Sequence, residues 1–223
     1  MHGNDAEIAT VAARAFSCEA ELASLVAGRA RVVDFPARAT IIEPEGQNDD
    51  IHLLVRGHAR MIAYAVDGRM VVLHDFREGD LFNETRLLGA VAGSEEVQAV
   101  DAVRAGLFAV TVFLGLMSNY TSIGIAVSRM LVARLNMTTR RMVEGATLSA
   151  SGRIHAELLR QARSGEGMTI RPAPILSIFA LSVQTTRETV SRTINTLQKR
   201  GIIRRDDDSL TIVAPHRLEE LIY

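Results

Sequence analysis

Residues 185–203 constrain the chain more than any other stretch: Thr185-Thr186-Arg187-Glu188-Thr189-Val190-Ser191-Arg192-Thr193-Ile194-Asn195-Thr196-Leu197-Gln198-Lys199-Arg200-Gly201-Ile202-Ile203. A threonine hydroxyl opens the run as a helix cap and Gly201 closes it. Val190, Ile194 and Leu197 recur at helical spacing and form one buried face. The opposite stripe carries Arg187, Glu188, Ser191, Arg192 and Asn195, the side-chain types that read base edges. Arginine forks onto the O6/N7 edge of guanine, glutamate accepts from cytosine N4, and serine or asparagine serves several edges. They fall in the first two turns, the part of a recognition helix that enters a major groove. The plainer reading is a solvated helix face, with Glu188 closing a capping box on Thr185.

What flanks the run decides between the two. After Gly201, Ile202 to Arg205 and Leu210 to Val213 read as a two-stranded hairpin around the polar turn Asp206-Asp207-Asp208-Ser209. Upstream, Ile175 to Leu181 spans about two apolar helical turns and ends at Ser182-Val183-Gln184. Helix, turn, helix and hairpin make a winged helix-turn-helix. The string Arg187-Glu188-Thr189-Val190-Ser191-Arg192, with Leu197-Gln198-Lys199-Arg200-Gly201-Ile202-Ile203 behind it, resembles the C-terminal domain of the CRP/FNR family of bacterial transcription regulators. The chain departs from that family at Gln184, where the turn often carries glycine, so a strained backbone is expected there.

Net charge is −1, which excludes nothing by itself. Its division is informative: from Leu148 onward there are eleven basic and eight acidic residues, and before it fourteen and eighteen. A basic C-terminal part on an acidic N-terminal part fits DNA binding by the former. The length of 223 residues suits two modest domains. The single Cys18 excludes an internal disulfide framework and a four-cysteine iron–sulfur cluster. The longest apolar run, Leu107 to Met117, is far short of the roughly 20 residues a bilayer span needs, and the early acidic residues leave no room for a secretory leader. A cytoplasmic, reduced protein without membrane contact is the expectation.

Residues from Asp5 to about Gly28 read as helical, on both sides of Ser17. From Arg31 the apolar period falls to two, through Val32-Val33, 40–42, 51–55, 59–66 and 70–73, and again near 97–102 and 106–110. The Asp67-Gly68 pair signals a hairpin turn. Short strands at this spacing indicate a small antiparallel barrel or roll. Phe35-Pro36, Glu45-Gly46, Leu53-Leu54-Val55-Arg56-Gly57 and Glu78-Gly79-Asp80-Leu81-Phe82 resemble the cyclic-nucleotide-binding β-roll that precedes the DNA-binding domain in the same family, so the resemblance runs from about Ala30 to Leu221. Residues 119–147 then read as a long helix. Ile123, Met130 and Met137 repeat every seven residues, with Ala126 and Ala133 between them, a seam that suits close approach of two helices. Val127, Leu131 and Met142 form the face expected on the roll. The alternative is an ordinary core helix; the resemblance implies a dimer interface. The expected fold is α+β: an effector-binding β-roll with N-terminal helices over 1–118, a dimerisation helix over 119–147 and a winged helix-turn-helix over 148–223. Ser149 offers the N-cap of the first helix of that last part.

The resemblance also implies an effector pocket, and here the pattern breaks. Family members that bind cyclic nucleotides use Gly-Glu on the ribose and Arg-Ser on the phosphate about a dozen residues later. This chain reads Asn83-Glu84, then Ser94-Glu95-Glu96. The acceptor carboxylate Glu84 survives; the phosphate-binding guanidinium is replaced by carboxylates that repel a phosphate. Arg86 and Arg104 are the nearest substitutes in sequence. Thr138 and Thr139 fall where the family places hydroxyls against adenine. An effector other than cyclic AMP, or none, is therefore expected, with a cyclic-nucleotide-dependent regulator and a ligand-binding protein that has lost DNA binding as alternatives. Some members bind haem; His52, His58 and His74 are the imidazoles of the roll, without a His/Cys pairing pattern, so no cofactor and no metal is expected. Nucleophile elbow, phosphate loop and His-Glu-x-x-His pair are all missing, which argues against an enzyme. By the resemblance, Glu188 and Arg192 read a TGA-containing half-site, Ser191 contacts a neighbouring thymine or phosphate, and Arg187 bears on the first base. Thr186 and Arg204 are candidate phosphate contacts. The partners implied are a double-stranded DNA operator, a second copy of the chain, RNA polymerase and a small-molecule effector.

Overall fold

The computed structural model describes residues 2–46, 48–65, 68, 70–89 and 93–223. They form two compact units, 1–136 and 137–223.

In the first unit, the helical stretch expected from Asp5 to Gly28 forms two helices, α1 (His2–Phe16) and α2 (Ala20–Ala27). Ser17 between them takes a left-handed φ of 49°. The turn lets Ile8, Val11 and Phe16 of α1 and Ala23 and Val26 of α2 reach one core, which a straight helix cannot do.

Among the described residues eight strands follow: β1 (Arg31–Phe35), β2 (Thr40–Ile42), β3 (Ile51–Arg56), β4 (Ala59–Tyr64), β5 (Met70–Phe76), β6 (Leu81–Phe82), β7 (Glu96–Ala99) and β8 (Val103–Phe108). They make two four-stranded sheets, ordered β1-β8-β3-β6 and β2-β7-β4-β5, with antiparallel pairing throughout. Strand β3 is buried on both faces, which accounts for its unbroken apolar run. Ile51, Leu53 and Val55 belong to the core shared with α1 and α2. Leu54 belongs to a second core with Phe76, Phe82, Val97 and Ala105. The hairpin β4–β5 pairs Ala59 with Phe76 through to Tyr64 with Met70. In its turn Gly68 has a φ of 78° and its N–H donates to Ala65 O at 2.8 Å; the Asp67 expected beside it lies outside the described residues.

The apolar run 107–117 covers the end of β8 and most of α3 (Val110–Asn119), a helix the sequence pattern does not separate from a strand because short apolar runs carry no readable period. At Tyr120 the chain bends by 112° into α4 (Thr121–Thr147). Among the described residues no single helix is long and apolar enough to cross a membrane. Near its start α4 buries Ile123, Ala126 and Val127 in the helical core of the first unit.

The second unit starts in the last turns of α4. Then come α5 (Ala150–Arg163), β9 (Thr169–Ile170), α6 (Leu176–Ser182), α7 (Arg187–Lys199), β10 (Ile203–Arg205), β11 (Leu210–Ile212) and α8 (Pro215–Glu219). Ser149 Oγ caps α5 by accepting from Gly152 N at 3.0 Å. Ile154 and Leu158 of α5, Phe179 of α6, Val190, Ile194 and Leu197 of α7, and Ile203 and Leu210 of the wing close one core. Strand β9 adds a third strand to the wing, in the order β10-β11-β9.

Candidate nucleic-acid interface and effector pocket

Helix α7 is oriented by its apolar face. Val190 and Ile194 are fully buried, so the opposite stripe turns outward: Arg187, Glu188, Arg192 and Asn195 are exposed and Ser191 is half-buried. The cap is Thr186 rather than Thr185: its Oγ1 accepts from Thr189 N at 3.2 Å and lies 3.0 Å from Thr189 Oγ1. The expected box between Thr185 and Glu188 therefore does not form. Glu188 sits in the first turn, where its own backbone N–H, the Thr186 hydroxyl and the nearby Arg187 and Arg192 hold its carboxyl below the usual range. It stays an acceptor under all ordinary conditions, as pairing with a base amino group requires. Arg204 stands exposed on β10, opposite Thr211. The turn before α7 confirms the strain expected at Gln184, whose φ is +52°. Thr185 N donates to Ala180 O at 2.9 Å and locks the turn.

The expected effector residues are described within their own units. Glu84 opens a 3₁₀ turn (Glu84–Leu88) and is 8 % exposed. Its carboxylate is engaged by Arg134 of α4, whose other terminal nitrogen donates to Leu81 O at 2.8 Å. The same guanidinium lies 5.1 Å from the centre of the Phe76 ring, a cation–π contact. Thr138 and Thr139 are exposed on α4. Asn83 replaces the family glycine because the position needs a left-handed backbone (φ 66°), which asparagine tolerates. Its side chain adds two bonds, to Asn48 O at 2.8 Å and Asp50 O at 2.9 Å. The two substitute arginines are engaged elsewhere. Arg86 donates to Gly46 O at 2.8 Å and pairs with Asp49, whereas Arg104 forks onto Asp34 and reaches Glu7. Glu96, where the phosphate arginine is expected, accepts from Thr40 at 2.8 Å.

The three imidazoles are also dispersed. His52 is fully buried and stacks on Phe82 with ring centres 4.7 Å apart. Burial pushes its pKa down to about 4, against the smaller opposing pull of Asp50. His58 binds Asp101 at 2.7 Å, and His74 meets Phe76 edge-on.

The helical seam needs correction. Ile123 and Ala126 lie inside the core of the first unit and Met130 packs on it, so these three face inward; of the expected set only Ala133 and Met137 are exposed. Leu131 and Met142, expected on the roll, are exposed as well. The apolar face that α4 leaves uncovered runs through Ile125, Val132 and Leu135, at 44 %, 57 % and 66 % exposure. With Ser128 and, further on, Thr139 and Met142, it keeps a seven-residue spacing shifted by two from the expected seam.

Arg134 is the residue that the sequence pattern misses. It is fifty positions from Glu84, and a lone arginine on a helix carries no sign of its partner. Arg153, on α5, is another.

Comparison with known proteins agrees with this division. Residues 32–120 match the cyclic nucleotide-binding domain model and residues 152–221 the Crp-like helix-turn-helix domain model. A CRP-like cAMP-activated global transcriptional regulator of Mycobacterium tuberculosis is 25 % identical over 191 residues, covering 83 % of this chain and 85 % of that protein. The cAMP-activated global transcriptional regulator CRP of Pasteurella multocida is 25 % identical over 174 residues, 76 % of this chain and 83 % of its own. Among solved structures, a CooA mutant from Carboxydothermus hydrogenoformans superposes with a TM-score of 0.79 at 18 % identity, over 89 % of this chain and 90 % of that one. With an antiparallel roll, a long helix and a helix-turn-helix with an outward-facing polar stripe in that order, the chain belongs to the CRP/FNR family of DNA-binding transcription regulators.

Proposed function

We propose that the chain acts as a homodimer on an inverted repeat with TGA-containing half-sites, under an effector other than cyclic AMP or under none. The observation that carries the reading is the exposed, capped stripe Arg187, Glu188, Ser191 and Arg192, two of whose residues are matched to guanine and one to cytosine. Thr186 and Arg204 flank it as phosphate contacts. Dimerisation draws support from the uncovered seam Ile125, Ser128, Val132 and Leu135 of α4, which would set two recognition helices in successive major grooves about one turn apart. RNA polymerase is the partner that such a regulator implies. As in the sequence reading, the roll, the central helix and the DNA-binding part take the divisions 1–118, 119–147 and 148–223, with Thr138 and Thr139 as residues at the effector site.

The effector reading rests on two observations. The acceptor carboxylate Glu84 is held by Arg134, and carboxylates stand at Glu95 and Glu96 where a phosphate needs a guanidinium. A ribose hydroxyl entering beside Glu84 has to compete with Arg134 for the carboxylate, which disfavours a ribose there. Selection of binding sites from a random duplex pool tests the DNA half: the enriched sequences should be inverted repeats with TGA in each arm. Enrichment of direct or unpaired sites would overturn it. A thermal-shift titration with cyclic AMP tests the other half. The midpoint should not move, and a saturable rise would overturn the effector reading.

A further inference from the structure

We infer that Arg153 is a positioning residue that sets the angle of the recognition helix, and so fixes which half-site spacing the protein accepts. The inference rests on the DNA-binding reading above.

Arg153 lies in the first turn of α5, just past the Ser149 cap, and its guanidinium is spent wholly on backbone. Nη1 donates to Leu148 O at 3.0 Å, Nε to Val183 O at 2.9 Å and Nη2 to Gln184 O at 3.0 Å. Leu148 belongs to the joint between α4 and α5, and its N–H donates to Glu144 O in the last turns of α4 at 2.9 Å. Val183 and Gln184 form the turn between α6 and α7. Gln184 is left-handed there, so the carbonyls of the turn point away from the helical ladder and need a donor. One planar fork therefore ties the end of α4 to the segment that aims α7. Lysine supplies a point charge and cannot serve three acceptors in this arrangement.

A second arginine braces the same joint. Arg160 donates to Glu144 Oε1 of α4 at 2.6 Å and pairs with Glu157 one turn earlier on α5; Glu157 also accepts from Gln161 at 2.8 Å. Arg141, Glu144, Arg153, Glu157 and Gln184 line a small hollow at this junction. The cluster makes the last turns of α4, α5 and the helix-turn-helix turn a single stiff corner. In a dimer joined along α4, such a corner fixes the separation of the two reading helices without touching DNA.

The test uses the full-length protein and the inverted repeat that the wild type selects, with the spacer between half-sites lengthened and shortened by one base pair. Wild type should disfavour both altered spacers by about tenfold or more, a typical cost for one misplaced base contact. Arg153→Gln should bind all three within about threefold of one another, with its salt slope unchanged because no phosphate contact is lost. Arg153→Lys should fall in between, and Glu144→Gln should relax the preference from the α4 side. A general loss of stability lowers affinity for all three spacers in proportion, and that result in the folded Lys and Glu144 variants overturns the inference. A reduced salt slope overturns it too, since it would make Arg153 a DNA contact. If the wild type selects no inverted repeat, the DNA-binding reading falls first and this inference with it; if it selects one and Arg153→Gln keeps its spacer ratio, only this inference falls.

Discussion

Arg192 and Arg204 are both exposed cations near the expected DNA surface, yet their positions assign them different work. Arg192 stands on the exposed polar stripe of α7 proposed to read bases, so Arg192→Ala should cost about 1–3 kcal/mol on the selected site and flatten the preference at one base. Arg204 is on the wing, and Arg204→Ala should weaken all duplexes alike and lower the salt slope by about one. Affinity measured on matched and scrambled duplexes at several salt concentrations separates the two. His52 makes a third residue-scale case. Its pKa falls from 6.5 to about 4 because burial disfavours the imidazolium. The native state therefore takes up a proton less readily than the unfolded chain. The stability that neutral His52 supports is complete above pH 6.5 and is lost as pH falls towards 4, by at most about 1.4 kcal/mol per unit. Denaturant titrations at pH 7 and pH 5 should show this loss in the wild type and much less of it in His52→Phe, which keeps the stack on Phe82. Parallel pH dependence in the two proteins would remove His52 from the account.

At the scale of the element, α4 carries two faces with different duties. Ile123 is fully buried, and Ile123→Ala should lower the stability of the fold by about 2–5 kcal/mol without a specific effect on association. Leu135 is 66 % exposed on the other face. Leu135→Glu should leave the melting of the monomer nearly unchanged and raise the dimer dissociation constant by about tenfold or more, the worth of one apolar side chain at a helix seam. Sedimentation equilibrium reads the second effect and calorimetry the first. The long helix itself is legible in the sequence; its orientation is not. A repeat of Ile123, Met130 and Met137 and a repeat of Ile125, Val132 and Thr139 have the same period, and only the docking of residues 123–127 on α1, α2 and α3 decides which faces inward. The break at Ser17 is similar: propensity runs helical across it, and the chain turns because both apolar faces must reach one core.

At the scale of the whole molecule, the two units keep separate cores and separate chemistry. The roll builds its interior on an aromatic group, with Phe76 and Phe82 at 5.1 Å, His52 beyond Phe82 and Arg134 over Phe76. The winged unit builds its own on α5, α6 and α7. Releasing Glu84 should therefore reach the roll first: Arg134→Ala leaves a carboxylate that is 8 % exposed without its cation. The stability of the roll should fall by the 3–5 kcal/mol typical of a broken buried pair, near the lower end since Arg134 is 18 % exposed. Thermal unfolding followed by amide exchange in 31–108 and in 150–219 distinguishes loss in the roll from loss in the winged unit; equal loss in both would show that the pair does not act locally.

The sequence by itself determined the broad succession of β-roll, long helix and winged unit, the hairpin of the wing, the polar outer stripe of α7 and the family that these resemble. Each is local: a period of two or of about four, a capping hydroxyl, a turn pair, all set within a few residues of one another. The tertiary structure alone decided which face of α4 is covered, that Glu84 is met by Arg134, and that Arg153 gathers carbonyls from Leu148, Val183 and Gln184. Those are meetings that depend on how the chain folds back on itself, and a periodic pattern records which residues need a partner but not which partner the fold delivers.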